Sequence, residues 1–203
     1  MSSELVEKVY KTSREISLVE RIGRILRMSV LELDGNAYME DNKYKLDDWK
    51  SIKNFVNKKL RLNDEGKNII YMNIDTGDKI ILSGDSAGKI AGHYKDGEAY
   101  QKTIAHIPQI IKHMLLLDEA SPNKANVKYD NYSYYITQVK MEERTYTILS
   151  TIGRKWDEVY YDHNVFEGSS EEVFVKAKND ATDFKYSRLN NILESVDICN
   201  LKK

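Results

Sequence analysis

Cysteine is nearly absent from this chain: Cys199 stands alone among 203 residues. No internal disulfide can form, so the fold must rest on an apolar core, which fits a reducing compartment. Proline is scarce, at two residues, and long stretches are free of its fixed backbone break. No apolar run approaches the roughly 20 residues of a membrane span, and the opening MSSELVEKVYK has no apolar signal-peptide region. The expectation is a cytoplasmic protein without membrane contact. Excess charge is lacking too. With 31 Lys plus Arg against 32 Asp plus Glu, any phosphate binding must come from a local basic patch. Phenylalanine is rare at four residues while tyrosine reaches 14. The accompanying Lys, Asn and Ile point to an AT-rich coding bias as one source of that excess.

Familiar chemical signatures are missing as well. There is no glycine-rich phosphate loop, paired-cysteine metal site, two-histidine zinc helix or nucleophile elbow. Gly84-Asp85-Ser86-Ala87-Gly88-Lys89 lacks the glycine spacing and final Ser or Thr of a phosphate loop, and reads as a turn opening a helix. No metal site and no cofactor are expected.

The pattern that is present predicts an α+β fold: a small antiparallel sheet flanked by helices, preceded by a helical N-terminal segment. Residues 1–65 form that segment, 66–168 the α+β domain, and 169–203 C-terminal helices packing on it. In the stretch 2–33, Leu18, Val19, Ile22, Ile25 and Leu26 keep helical spacing with Arg14, Arg21, Arg24 and Arg27 between them. Such a helix either packs with a solvated arginine face or contacts a nucleic acid or partner, and its apolar face could pair two copies as a homodimer. A second helix is expected over 46–60, with Asp47 and Asp48 in its first turn and lysines in its last. Asn63-Asp64-Glu65-Gly66 marks the boundary. Strands over 68–75 and 79–83 are joined by the Asp75-Thr76-Gly77-Asp78 turn. Helices follow, one ending at Ala91, one over 98–107, and one begun by Pro108. Leu115, Leu116 and Leu117 lead into a loop over 120–131. Strands over 132–141, 144–153 and 158–162 close the domain. Ser169 and Glu172 then form a capping box, and a last helix starts near Tyr186.

All four histidines, His93, His106, His113 and His163, lie in the expected domain. An imidazole can take and give a proton near neutral pH, yet each is individually as compatible with a packed or exposed role. His93 follows Gly92 at a helix end, where the ring can project into a cleft. His163 follows Asp162, a carboxylate able to orient it or raise its pKa. Lys140, Arg144, Arg154 and Lys155 are candidate phosphate-binding cations, or ordinary strand-end charges. Tyr132, Tyr134 and Tyr146 are candidates for stacking bases of a single strand, with Tyr135 on the other face, or for packing the sheet.

The order Lys79-Ile80-Ile81-Leu82-Ser83, Gly92-His93, Ala105-His106-Ile107-Pro108-Gln109-Ile110-Ile111, Lys128-Tyr129-Asp130, Arg144-Thr145-Tyr146-Thr147-Ile148 and Val159-Tyr160-Tyr161-Asp162-His163 resembles a phage family. These are the barnase, EndoU, colicin and RelE-like nuclease domains of phages and mobile elements, including the domain associated with large polyvalent phage proteins. The resemblance covers about half the chain and leaves the N-terminal 65 residues outside. It implies metal-independent RNA cleavage by attack of the ribose 2′-hydroxyl on the adjacent phosphate. His93 and His163 would then be the base and acid, Arg154 and Lys140 the phosphate cations, and Tyr134, Tyr146, Arg144 and Lys155 the substrate contacts. The partners implied are RNA, or a host protein or cognate inhibitor. The alternative is a non-catalytic phage protein that binds a host protein or nucleic acid, such as an inhibitor of host defence.

Overall fold

The computed structural model describes residues 12–35, 48–121, 129–155, 158–180 and 182–198. Cys199, Trp156, most of the 120–131 loop and residues 2–11 of the expected first helix lie outside them.

Local signals set most element starts. Helix α1 (Leu18–Leu26) begins at a Ser17/Glu20 capping box, and α2 (Trp49–Phe55) at Asp48, whose carboxylate accepts from the Ser51 N–H. A π-helical turn, Val56–Arg61, prolongs α2. Ser83 caps α3 (Gly84–Gly92), and Pro108 lies in the first turn of α5 (Ile107–His113) after α4 (Glu98–Ile104). Ser169 and Glu172 form the box that opens α6 (Ser170–Asn179), and α7 (Ser187–Leu193) follows. Each capping oxygen satisfies an N–H that a helix end would otherwise leave unpaired.

The fold is α+β. Its main sheet is mostly antiparallel, as expected, and is made mixed by one short parallel pairing. Strands β5 (Asn131–Met141), β6 (Arg144–Lys155) and β7 (Glu158–Glu167) form an antiparallel meander. Along the free side of β5, β4 (Leu115–Ala120) pairs antiparallel, and further on β1 (Leu31–Leu33) pairs parallel. A separate hairpin joins β2 (Ile70–Met72) to β3 (Lys79–Ile81) around the anticipated turn. Two strands fall where the sequence reading had none. The stretch holding β1 reads as the end of a helix, and Leu115–Leu117 as the way into a loop. Strand β4 is covered on both faces, Leu116 in one core and Leu117 in the other. A strand buried on both sides shows a continuous apolar run, not the alternation that identifies strands.

Two helical layers cover the sheet. Ile52, Phe55, Ile80, Ile90, Ile104 and Ile111 pack on the face carrying Tyr135, Ile152 and Tyr161. Ile22, Ile25, Val173, Phe174, Leu189 and Leu193 pack on the opposite face, against Tyr134, Leu149 and Phe166. Residues before and after position 65 thus share one core, since α2 packs on α3 and α1 on β4 and α6. Of the apolar side of α1 considered for a homodimer, Ile22 and Ile25 are buried within the chain while Val19 is exposed.

Nor is the arginine row of the N-terminal segment simply solvated. Arg14 makes a two-pronged pair with Asp78, 2.8 Å to each oxygen, and Arg21 donates to the Ser13 and Leu117 carbonyls. Arg154 reaches the same Asp78 carboxylate at 2.8 Å, and the Tyr135 hydroxyl donates to it. Burial pushes the Asp78 carboxyl up, but Arg14, Tyr135 and Arg154 outweigh it and hold it below its ordinary value. Among the described residues no helix is long and apolar enough to cross a membrane.

Candidate functional site

A cleft of about 940 Å³ opens on the sheet face that α6 and α7 leave partly bare. Its floor is Tyr132, Tyr134, Thr151, Tyr160, Asp162 and Asn164, consecutive same-face positions of β5, β6 and β7. Lys53, Asp85, Lys89 and His93 line one side, and Phe184, Lys185, Ser187 and Arg188 the other. Four cations therefore face two carboxylates, and both carboxylates are engaged. The Tyr129 hydroxyl donates to Asp85 at 3.3 Å, and the Tyr160 hydroxyl to Asp162 at 3.2 Å. Arg188 lies over the Tyr134 ring and Lys185 over that of Phe166, contacts that hold each cation in place. A chain of net charge −1 thereby carries a locally positive hollow.

The floor is aromatic because of one small residue. Tyr129 stacks on Tyr160 with ring centroids 5.3 Å apart, and meets Tyr132 edge-on at 5.9 Å. A Cβ at Gly153 would lie 2.9 Å from the Tyr129 ring and 3.1 Å from that of Tyr132. Only glycine lets both rings lie down on β6 at this point.

His93 sits at the cleft edge because α3 ends there, its backbone N–H closing the last turn on Ile90 and Ala91. The ring is held between two carboxylates. Nδ1 is 2.6 Å from Asp96 Oδ2, and Nε2 is 3.4 Å from Asp162 Oδ1, a contact short of a well-aligned hydrogen bond. Asp162 first, and then Asp96, outweigh burial and raise the pKa of His93 above its ordinary value. Burial pushes Asp162 up, but His93 above all, with Lys89, more than offsets it and holds the carboxyl below its ordinary range. The imidazolium and the carboxylate thus stabilise one another.

His163 is near but faces away. It alternates with Asp162 along β7 and so points into the opposite core, fully buried, stacked on Tyr100 at 4.5 Å between centroids. Thr103 Oγ1 already donates to the Tyr100 carbonyl at 2.6 Å, so His163 Nε2 must carry the proton and donate to Oγ1 at 2.9 Å. Nδ1 is left without a partner. Burial drives the His163 pKa down to about 4, so the ring is neutral at pH 7.

Of the other expected site residues, Tyr134 lines the cleft, almost wholly buried in its floor. The structure does not bring the remainder there. Arg154 faces the opposite side and is paired with Asp78. Lys140 stands opposite Thr145 in the β5–β6 ladder and near Glu32, while Asp162 stands opposite Thr151. Six residues of strand separate them, about 20 Å. Arg144 lies at the same distant end, 3.7 Å from Glu167. Tyr146 pairs with Val139 and so shares the Tyr135 face, not the Tyr134 face. Lys155 ends β6 opposite Glu158. The cations that do line the cleft, Lys53, Lys89, Lys185 and Arg188, went unidentified in the sequence because they come from three separate helices or their flanks. Asp162 carried a signal in the Tyr-Tyr-Asp-His run, though as a partner for the wrong histidine.

Together these features define an α+β domain with a cationic, aromatic-floored cleft at the edge of its sheet. The chain belongs to the large polyvalent protein-associated domain 3 family, which matches residues 45–161. That span covers α2 to the start of β7 and supports the phage-associated part of the resemblance. No curated protein and no solved structure matches the chain.

Proposed function

We propose that this phage-associated domain binds single-stranded RNA in the cleft. The observation that carries the reading is the convergence of four cations and an aromatic floor on one hollow, in a chain with no bulk positive charge. Phosphates seek the cations and unpaired bases the rings, and stacking on rings requires the unpaired bases of a single strand. The test is titration of a fluorescein-labelled RNA dodecamer at several salt concentrations. Wild type is expected to bind, more weakly as salt rises. Lys89→Ala with Arg188→Ala is expected to lower affinity about tenfold or more and to flatten the salt dependence. Absence of binding, or a double variant that matches wild type, overturns the reading.

His93 favours a second reading, in which the bound strand is cleaved without a metal. An imidazolium clamped between Asp96 and Asp162 has a proton to give to the departing 5′-oxygen as the 2′-hydroxyl attacks phosphorus. Asp96 is half exposed and can release Nδ1 towards substrate. His163 has no direct part in this chemistry, since its ring lies under the opposite helical layer. The neighbouring Asp162 is held too acidic to be an effective base, so proton removal from the 2′-hydroxyl falls to water or to substrate. Products ending in 2′,3′-cyclic phosphate, formed in excess chelator by wild type and lost in His93→Gln, are the expected result. Intact RNA after incubation with wild type leaves the binder alone.

A further inference from the structure

Phe184 is 91 % exposed, by far the most exposed large apolar side chain among the described residues. It does not sit on a loose tail. The turn that carries it, ahead of α7, is fastened by several hydrogen bonds among the described residues. The Asp183 carboxylate accepts from the Lys185 N–H at 2.8 Å, and the Tyr186 N–H donates to the Asp183 carbonyl at 3.0 Å. Ser187 Oγ donates to the carbonyl of Phe184 itself at 2.8 Å. The Asp180 carboxylate accepts from Thr182 and from the Asp183 N–H on the other side. The result is a benzyl group held out in water at the cleft rim, opposite the wall formed by His93 and Lys89.

Holding an apolar ring in water forgoes the burial that could stabilise the fold, while a pre-ordered turn removes most of the entropy cost of binding with it. The neighbours indicate what it would meet. Lys185 and Arg188 follow it in the chain and line the same cleft, their charged groups lying over the rings of Phe166 and Tyr134. A ring beside two cations, in a cleft with an aromatic floor, matches a nucleotide: base on the ring, phosphates on the cations. We infer that Phe184 stacks on one base of the bound strand and closes the cleft over it, with Tyr132 and Tyr160 below. This rests on the RNA-binding reading above and names the side chain that grips the base in it.

Substitution at 184 spares the fold, because the ring packs on almost nothing. The experiment compares wild type, Phe184→Ala, Phe184→Leu and Phe184→Trp with fluorescein-labelled oligo(rA)12, beside the Lys89→Ala, Arg188→Ala protein. Stacking on an aromatic is expected to give a loss of about tenfold in affinity for both Phe184→Ala and Phe184→Leu. Phe184→Trp is expected to bind at least as tightly as wild type, and its added indole emission to be quenched on binding unlabelled oligo(rA)12. If the Ala and Leu variants bind as wild type while the cleft double variant is weakened, the inference is overturned and the cleft reading stands. A bound oligonucleotide that leaves the added emission unchanged overturns it too. If wild type binds no oligonucleotide, the cleft reading fails and this inference with it.

Discussion

Replacing His163 with phenylalanine should change how the stability of the protein depends on pH more than it changes stability itself. The folded protein holds this imidazole neutral, with a pKa of about 4 against an ordinary 6.5. Between those values the unfolded chain binds a proton that the folded chain refuses, so stability is lost as pH falls below 6.5 and the loss is complete below 4. At pH 5 the gap from 6.5 is one and a half pH units, which at 1.36 kcal/mol per unit is about 2 kcal/mol. At pH 7 the contribution is close to nil. Phenylalanine keeps the stack on Tyr100 and gives up the bond to Thr103 Oγ1, whose own proton stays on the Tyr100 carbonyl. That costs about 1 kcal/mol at any pH. His93 works in the opposite sense: its folded pKa is raised, so its stabilisation is present below 6.5 and lost as pH rises through the folded value. His93 titrates in both proteins, so most of its contribution drops out of the comparison. Urea unfolding followed by circular dichroism at pH 7 and pH 5 should therefore show the His163→Phe variant to be the weaker protein at neutral pH, and the wild type to lose about 2 kcal/mol more on acidification. A wild-type-minus-variant difference that is the same at both pH values would refute a buried neutral imidazole at this position.

Three further substitutions test other parts of the account. Asp78→Asn leaves Arg154 and the Tyr135 hydroxyl without their carboxylate, and should cost about 2–4 kcal/mol in urea unfolding, below the full value for a buried pair because Arg14 is partly solvated; the Asp78 contribution itself should be present above pH 3.8 and fade as pH drops through the lower folded value. Gly153→Ala drives a methyl group into the Tyr129 ring and should destabilise by about 1–3 kcal/mol, with a matching loss of melting temperature; a fully tolerated alanine would mean the rings are not laid on β6. Ser169→Ala removes the hydroxyl that accepts from the Glu172 N–H, leaves the Glu172 carboxylate on the backbone N–H of residue 169, and should cost about 1 kcal/mol, seen as faster hydrogen exchange in the first turn of α6.

Elements that announce themselves over a few residues were legible in the sequence. The Ser169/Glu172 box, the Asp75 to Asp78 turn, Pro108 in a first helical turn and the long β5–β6 hairpin stand where their residues indicate. Strand β1 was not legible because the partner that makes it a strand, β5, is remote in sequence, and β4 was not because burial on both faces gives it a continuous apolar run in place of alternation. The position of His93 beside a cleft could be inferred from a helix end after glycine. Its contact with Asp162 could not, since that carboxylate reaches it only by lying on the edge strand against which α3 packs.

The sequence alone determined the α+β class, most helix starts and the absence of disulfide or membrane-spanning helices among its visible signals, because each depends on local propensity, capping or composition. Tertiary structure alone decided which charges meet. Adjacent residues in a strand point to opposite faces, so Asp162 enters the cleft and His163 the core, and Arg154 pairs with Asp78 while Lys89 and Arg188, 99 positions apart by their numbers, share one hollow. Side-chain direction along a strand and the docking of distant helices fix these meetings, and neither is written in the spacing of the residues themselves.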